Sequence, residues 1–260
     1  MEVCASTCLK LIGAQSSSFA RPDPMFAQSW SSALRYGCFL SKKGYEKGMV
    51  FASREAAGHM LGQALKERNT AADVVLGLPR GGVIVAAEVA HVLRLPLDVL
   101  IVRKIGHPLH REFALGAMAE NGIFVLDQSA LRRNPLLQTQ LDQIIEEEKE
   151  RLSIYQSRFR QGSLDLNGKW VLLVDDGLAT GSTTEAAVLS AKHQGAAKVV
   201  VAAPVASTSA AERIRNVADD LFALIIDPEF DAVGRYYDVF SQTTDGEVLD
   251  LLRAEAVRGS

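Results

Sequence analysis

The sequence lacks any long hydrophobic stretch, because no window of its 260 residues approaches the roughly 18 uninterrupted apolar residues that a membrane-spanning helix needs. It also lacks an excess of one charge, since 28 basic residues stand against 31 acidic ones and no dense Lys/Arg stretch could follow a phosphate backbone. Cysteine is confined to Cys4, Cys8 and Cys38, so no disulfide or thiolate metal site is expected after them. These absences exclude a membrane span and give no support for a nucleic-acid partner.

The first 48 residues differ in composition from the rest of the chain. Residues 1–48 are rich in serine and poor in acidic residues, as organelle transit peptides are. We interpret them either as such a targeting segment or as a disordered tail, with a start codon placed too early as a further alternative. The protein is expected to be soluble, in a chloroplast or mitochondrion if the segment is a transit peptide and in the cytoplasm otherwise.

Residues 49–260 carry the regular pattern of one folded domain. Their short apolar runs, mostly β-branched and without alternation, are typical of strands buried on both faces of a sheet. Helical patterns of crossover length separate several runs, and Ser53 can cap the first helix. The sequence therefore predicts an α/β fold with a twisted, mostly parallel sheet and helices on both faces. The predicted strands cover residues 74–78, 97–102, 171–174, 199–203 and 221–226, and the crossover helices residues 83–93, 183–194 and 207–217.

Two segments interrupt this alternation, and interruptions of this kind are where substrate-specific parts are expected. Residues 106–169 contain a hairpin that turns at Asn121-Gly122, followed by a long helix with one apolar side. Residues 227–252 form the second interruption, near the C-terminus. Both segments are predicted to form a hood over the sheet. The second one holds three aromatic residues close together, Tyr236, Tyr237 and Phe240.

The stretch richest in chemistry follows a predicted strand, at residues 171–184. Ligands of open parallel sheets collect beyond the carboxyl ends of the strands, and there Asp175 and Asp176 precede small and hydroxyl residues that lead into a helix. Backbone amides at the helix start can bind a phosphate, while the two carboxylates can accept from sugar hydroxyls or reach a magnesium ion. A turn and helix cap is the alternative role of the two aspartates, but the whole stretch favours a sugar 5-phosphate. No Gly-Lys-Ser/Thr follows, so a Walker loop is excluded.

Residues 171–184 resemble the phosphoribosyl pyrophosphate signature of type I phosphoribosyltransferases. Residues 78–82, Leu-Pro-Arg-Gly-Gly, resemble that family's pyrophosphate loop, in which glycines let backbone amides approach the diphosphate. Arg103 and Lys104 resemble the paired bases near its mobile catalytic loop. Together with residues 116–120, the long helix and the C-terminal segment, these motifs resemble an uncharacterised branch of the family, over about four fifths of the chain.

The resemblance implies roles for the matched residues. Arg80 is expected to contact the diphosphate, with a surface-turn arginine as the alternative. Arg103 and Lys104 are expected to act in catalysis with Arg80, although a salt bridge at the strand end is an equal rival. Magnesium is the expected cofactor, held weakly by Asp175 and Asp176 and largely through the substrate. The predicted substrate-binding residues are Arg80, Gly81 and Gly82 for the diphosphate, Asp175 and Asp176 for the ribose hydroxyls, and Ala179, Thr180, Gly181, Ser182 and Thr183 for the 5-phosphate.

The roles of several other residues stay open. His107 and His110 lie in the predicted mobile loop, where exposed histidines are favoured over a metal site that lacks a third ligand. The three aromatic residues of the second interruption could stack on a base, but packing of the tail is favoured. Ala179 stands where family members that salvage 6-oxopurines have an acidic side chain, so hypoxanthine and guanine are disfavoured as acceptors.

The activity implied by the resemblance is a phosphoribosyl transfer in nucleotide or nucleoside metabolism. A nitrogenous, nucleobase-like acceptor would displace pyrophosphate from magnesium-bound phosphoribosyl pyrophosphate. The expected partners are that substrate and a small-molecule acceptor, with neither nucleic acid nor membrane, and a homodimer is an open alternative. Two other functions stay open, a sensor that binds phosphoribosyl pyrophosphate without catalysis and a phosphoribosyl hydrolase or phosphorylase.

Overall fold

The computed structural model describes residues 50–106, 114–126, 136–159 and 164–258. All of them belong to one unit, Tyr45–Ser260. The predictions for residues 1–48 and for His107 and His110 lie outside the described residues. In the part of the chain that is described, no helix combines the length and apolar character needed to traverse a bilayer.

Five parallel strands form the central sheet: β1 Val74–Gly77, β2 Leu97–Val99, β6 Trp170–Val174, β7 Lys198–Ser207 and β8 Asp220–Asp227. Their order in the sheet is β2-β1-β6-β7-β8. The neighbouring strands pair in parallel throughout, and the register aligns the end of β1 at Gly77 with the end of β6 at Val174. The carboxyl ends of these two central strands therefore lie side by side.

Helices cover both faces of this sheet. Successive strand residues point to opposite faces of the sheet. Val75 and Leu172 therefore pack against the helices of one face, and Leu76 and Leu173 against those of the other. The predicted α/β fold with helices on both faces is confirmed. The covering helices are α1 Arg54–Glu67 and α2 Gly81–Leu93 on one face, and α4 Ser182–His193 and α5 Thr208–Arg215 on the other.

Helix α1 packs closely on α2 along a stripe of residues four apart, Arg54, Gly58 and Gly62. A Cβ atom on Gly58 would lie 2.7 Å from the carbonyl oxygen of Val85, so only glycine allows this approach. At its start α1 carries the capping Ser53, whose hydroxyl accepts from the Ala56 amide at 3.3 Å, as predicted. The close packing brings the first residue of α1, Arg54, against the first residue of α2.

A second, antiparallel sheet and two helices are formed largely by the predicted hood segments, although residues 102–105 and 253–258 of these elements lie outside the predicted bounds. The sheet consists of β3 Val102–Gly106, β4 Ala114–Ala119 and β5 Phe124–Leu126, and β4 and β5 turn at Asn121-Gly122 as predicted, with Gly122 at φ +80°. The long helix α3, Leu136–Phe159, and the C-terminal helix α6, Asp245–Arg258, share a buried cluster with this sheet. A 3-10 turn, Val233–Tyr236, precedes α6. The bounds given above for the two hood segments stay predictions.

The prediction of one strand over residues 97–102 is wrong. β2 ends at Val99, and the chain then leaves the parallel sheet and begins β3 in the antiparallel sheet at Val102. Leu100 and Ile101, between the two strands, are buried, so the apolar run is continuous although it serves two sheets. The strand predicted at residues 199–203 is longer than expected and continues to Ser207.

Candidate functional site

Two loops meet where β1 and β6 end. The amide of Leu78 donates to the carbonyl oxygen of Val174 at 3.0 Å, which ties the loop after β1 to the loop after β6. These are the two loops that carry the Arg-Gly-Gly and Asp-Asp motifs. The edge of the sheet formed by the strand ends is where open parallel sheets place their ligands, so the motifs are brought together at that edge.

Asp175 is partly buried beneath the start of α2. Its Oδ1 accepts from the Asp176 amide at 2.9 Å, and the Thr184 hydroxyl donates to Oδ2 at 3.5 Å. A Cβ atom on Gly82 would lie 2.9 Å from both Cα and Oδ1 of Asp175, so glycine is needed there. Burial raises the pKa of the Asp175 carboxyl well above its ordinary value, and the charge of Asp176 raises it further.

Asp176 is held by an arginine that the sequence motifs do not include. Arg54 Nε donates to Asp176 Oδ2 at 2.8 Å, and both side chains are largely buried. Gly81 lies against this pair, since a Cβ atom there would lie 2.1 Å from Asp176 Oδ2 and 2.8 Å from Arg54 Nε. The two glycines of the Arg-Gly-Gly loop therefore each face one of the two aspartates.

Arg54 also joins Asp175 and Asp176, together called the acid pair, to the C-terminal segment. Its Nη1 donates to the carbonyl oxygen of Ser241 at 2.8 Å, and its guanidinium carbon lies 3.9 Å from the centre of the Phe240 ring. A local sequence pattern could not reveal these contacts, because Arg54 reaches partners 122 and 187 residues away. The sequence gives one indication of this role: Arg54 lies in the first turn of a helix, and glycines follow it on the same side of that helix, at Gly58 and Gly62.

The aromatic residues of the tail pack on one another and on the protein. Tyr237 donates its hydroxyl to the carbonyl oxygen of Asp176 at 2.5 Å and stacks on Phe240. Tyr236 donates to Asp227 at 2.5 Å. Burial raises the pKa of Tyr237, and the charge of Asp176 raises it further, so this phenol stays protonated and remains a donor. The structure thus shows the tail packing that the sequence analysis favoured.

The loop from β6 to α4 has the features of an anion site at a helix start. Gly181, at φ +73°, is the N-cap of α4, and glycine has no side chain that could bond the first-turn amides. The hydroxyls of Thr180 and Ser182 lie 3.0 Å apart. Ser207, at the end of β7, donates to the carbonyl oxygen of Ala179 at 2.6 Å and so fixes the loop to the sheet. The roles predicted for residues 179–183 in binding a phosphate stay predictions.

Arg103 and Lys104 point to opposite faces of β3, as neighbours in a strand do. Arg103 Nε donates to the buried carboxylate of Glu148 on α3 at 3.0 Å, and its guanidinium lies 5.1 Å from the centre of the Tyr155 ring. The charge of Lys104 instead acts on Asp175, where it opposes the rise in pKa. The structure thus places Arg103 against the long helix, in the salt bridge that the sequence left open as its alternative role, while the charge of Lys104 affects Asp175 electrostatically. A catalytic role for either one stays a prediction.

Replacing Arg103 by Gln is expected to lower the free energy of unfolding by about 1–2 kcal/mol, because the buried Glu148 then keeps, among the described residues, one ion pair, with Arg151. Urea denaturation followed by circular dichroism measures this. Lys149→Gln, which removes an exposed ion pair of the same helix, is the control and should change stability by less than about 0.5 kcal/mol. Equal values for the two variants would contradict a structural role for Arg103.

Arg80 stands at the start of α2, after a cis peptide bond between Pro79 and Arg80. Its Nη1 lies 3.7 Å from Asp245 Oδ1, and Asp245 is also paired with Arg158. A pocket of about 340 Å³ opens here, lined by Arg54, Arg80, Gly81 and residues 240–243. A cavity therefore lies beside the two arginines of the candidate site, Arg54 and Arg80.

A magnesium ion at the two carboxylates stays a prediction, and the chemistry of the residues present is compatible with it. Across the described ranges, no three His, Cys, Asp or Glu side chains converge as a metal cage. Mg²⁺ commonly takes one or two carboxylates and completes its coordination with substrate phosphates and water. Asp175 and Asp176 supply such a set, although Arg54 holds one oxygen of Asp176.

The sequence of the chain matches a known family of domains. A profile described as "Phosphoribosyl transferase domain" matches residues 49–238. Over 205 residues the chain is 42% identical to proteins from two strains of Mycobacterium tuberculosis, each named "Putative phosphoribosyl transferase". The match covers 78% of this chain and 46% of those proteins, so the chain spans about half the length of these relatives.

A solved structure shares the fold. The crystal structure of a Thermus thermophilus protein, TT1426, is 44% identical in sequence and superposes with a TM-score of 0.66. The match covers 78% of this chain and 98% of that one.

Proposed function

The chain belongs to the family of phosphoribosyl transferase domains, and we propose on that premise that it transfers a phosphoribosyl group from phosphoribosyl pyrophosphate to a nitrogenous acceptor. The observation that carries the proposal is the interlock of two loops at the strand ends. Gly82 lies against Asp175 and Gly81 against Asp176, so a diphosphate loop and a ribose-binding acid pair would share one site. Such a site suits a sugar that carries anionic groups at both ends, because the carboxylates can bind the sugar hydroxyls while a basic side chain and backbone amides bind the anionic groups.

In the proposed site each end of the substrate has its own partners. The first turn of α4 and the hydroxyls of Thr180 and Ser182 would bind the 5-phosphate. Asp175 and Asp176 would accept hydrogen bonds from the ribose hydroxyls, and Arg80 with the amides that follow it would bind the diphosphate. Asp175 and Asp176 would help to hold a magnesium ion, which when bound would supply Lewis-acid stabilisation of the charge on the diphosphate.

The reaction is a displacement at the anomeric carbon of the ribose. A bond forms between this carbon and a nitrogen of the acceptor, the bond to the diphosphate oxygen breaks, and pyrophosphate leaves with the electron pair while the acceptor nitrogen loses a proton. Arg80 and Lys104 would stabilise the charge that develops on the leaving group. The residues hold the reacting atoms in position and need form no covalent intermediate.

The test is an assay of pyrophosphate release. The pure protein is incubated with magnesium, phosphoribosyl pyrophosphate and a panel of nucleobases and related nitrogen compounds. Release that depends on one acceptor would support the transferase. Release without an acceptor would instead indicate a hydrolase, release that requires inorganic phosphate a phosphorylase, and binding without release a sensor, each of which would overturn the proposed transfer.

A further inference from the structure

The pocket beside Arg80 has a second wall that none of the recognised motifs contains. One side is formed by Arg80 and Gly81, and the other by residues 240–243 of the C-terminal segment. Arg54 lies between the two sides, with its guanidinium on Phe240 and its Nη1 bonded to Ser241. The C-terminal segment is therefore attached to the acid pair and faces the start of α2.

Thr243, one of the residues that line this pocket, has a buried hydroxyl. The residue is 5% exposed, and its Oγ1 has no hydrogen-bond partner among the described residues. The adjacent Thr244 behaves differently, because its hydroxyl caps α6 and bonds Glu247, which in turn accepts from the Thr244 amide. Since Thr244 already caps the helix, capping does not explain the hydroxyl of Thr243. A buried hydroxyl is normally bonded, so its free donor indicates a missing partner.

The charge of the lining indicates the chemistry of that partner. Two guanidinium groups line the pocket, and none of the described lining residues is acidic. Among the described residues Arg80 has no short ion pair, because Asp245 lies 3.7 Å away, beyond hydrogen-bond distance, and is shared with Arg158. The guanidinium of Arg80 can therefore turn to an anion without losing a short hydrogen bond to Asp245.

We propose that residues 240–243 form the second wall of the diphosphate site and that Thr243 donates its hydroxyl to a diphosphate oxygen. This inference rests on the proposed function, because it places the diphosphate of the substrate between Arg80 and Thr243. It adds a substrate-binding residue from the C-terminal segment to the motif after β1. Arg54 is the positioning residue that holds this segment against the site.

The test uses calorimetric titrations of the full chain with inorganic pyrophosphate, with ribose 5-phosphate and with phosphoribosyl pyrophosphate, each with magnesium. Thr243→Val keeps the shape and removes the hydroxyl, and it should weaken pyrophosphate binding about tenfold or more while ribose 5-phosphate binding is unchanged. Thr243→Ser keeps the hydroxyl and should restore the affinity. The valine variant should unfold at the same temperature as the wild type or a higher one, because it loses an unsatisfied buried donor.

The outcomes separate this inference from the proposed function. Unchanged pyrophosphate affinity in Thr243→Val, no recovery in Thr243→Ser, an equal loss for both ligands, or a clear loss of stability would each overturn the role of Thr243. A wild-type protein that binds pyrophosphate but not phosphoribosyl pyrophosphate would overturn the proposed function, while a selective loss in Thr243→Val would still support the pyrophosphate site. A wild-type protein that binds neither overturns both.

Discussion

Replacing Asp175 and Asp176 together by Asn is expected to weaken magnesium-dependent binding of phosphoribosyl pyrophosphate by about 100-fold or more. Each carboxylate would lose a charge-assisted hydrogen bond to the ribose, and such bonds contribute roughly 1.5–3 kcal/mol each. The amides keep the size of the acids, so the pocket should keep its shape. Calorimetric titration with the substrate, with and without magnesium, measures the effect.

A variant with the same change in net charge is the control. Asp231→Asn with Asp250→Asn removes two exposed carboxylates and should leave the affinity within about twofold, because exposed ion pairs contribute little. Unchanged affinity in the Asp175 and Asp176 variant would refute the assignment of the ribose site. An equal loss in the control would show that net charge, and not the site, governs binding.

The single replacement Asp175→Asn is expected to raise the stability of the fold at neutral pH, by about 1 kcal/mol. Burial raises the pKa of this carboxyl in the folded state above that of the unfolded chain. Between the two pKa values the folded state binds more protons, so the free energy of unfolding falls as pH rises from about 4 to the folded pKa and is level above it. The Asp175→Asn protein has no carboxyl at this position, so its free energy of unfolding does not fall in this way as the pH rises.

Urea denaturation at a series of pH values measures this difference. The wild type should become more stable relative to Asp175→Asn as the pH falls below the folded pKa. A variant that binds less substrate and yet is more stable cannot owe its lost affinity to misfolding. A less stable Asp175→Asn protein would contradict the idea that the carboxylate is retained for binding at a cost in stability.

The parallel sheet could be predicted from the sequence because its signals are local. Runs such as 171–174 are apolar on both sides, and the helix after Ser53 has a cap and a regular apolar period, so each element can be identified by itself. The break between β2 and β3 could not be seen, since Leu100 and Ile101 are as buried as the strands beside them. A continuous apolar run shows that a segment is buried, not which sheet it joins.

The candidate site was predictable only where a motif lies within one segment. Asp175 and Asp176 follow β6 directly, and Gly81 and Gly82 open α2, so each set can be found by its position after a strand. Arg54 could not be assigned in this way, because its contacts depend on how α1 packs on α2 and where the tail returns. Arg103 and Lys104 are adjacent in sequence, and only the orientation of β3 separates them.

Replacing Lys104 by Ala is expected to lower the turnover number by about 100-fold and the affinity for phosphoribosyl pyrophosphate by much less. Lys104 lies on the side of β3 opposite to Arg103, and its charge acts on Asp175. A single ammonium group near the site gains most when charge develops on the leaving diphosphate, so its removal raises the barrier more than it weakens the ground state. Steady-state rates of pyrophosphate release and calorimetric affinities measure the two effects.

Lys149→Ala is the matched control, because it removes an exposed lysine whose partner is Glu146 on α3. It should leave both the turnover number and the affinity unchanged. A loss of affinity without a loss of turnover in Lys104→Ala would mean that Lys104 binds the substrate equally before and during the reaction. A loss in neither quantity would remove Lys104 from the site and leave Arg80 as the one basic side chain, among the described residues, for which a role on the leaving group is proposed.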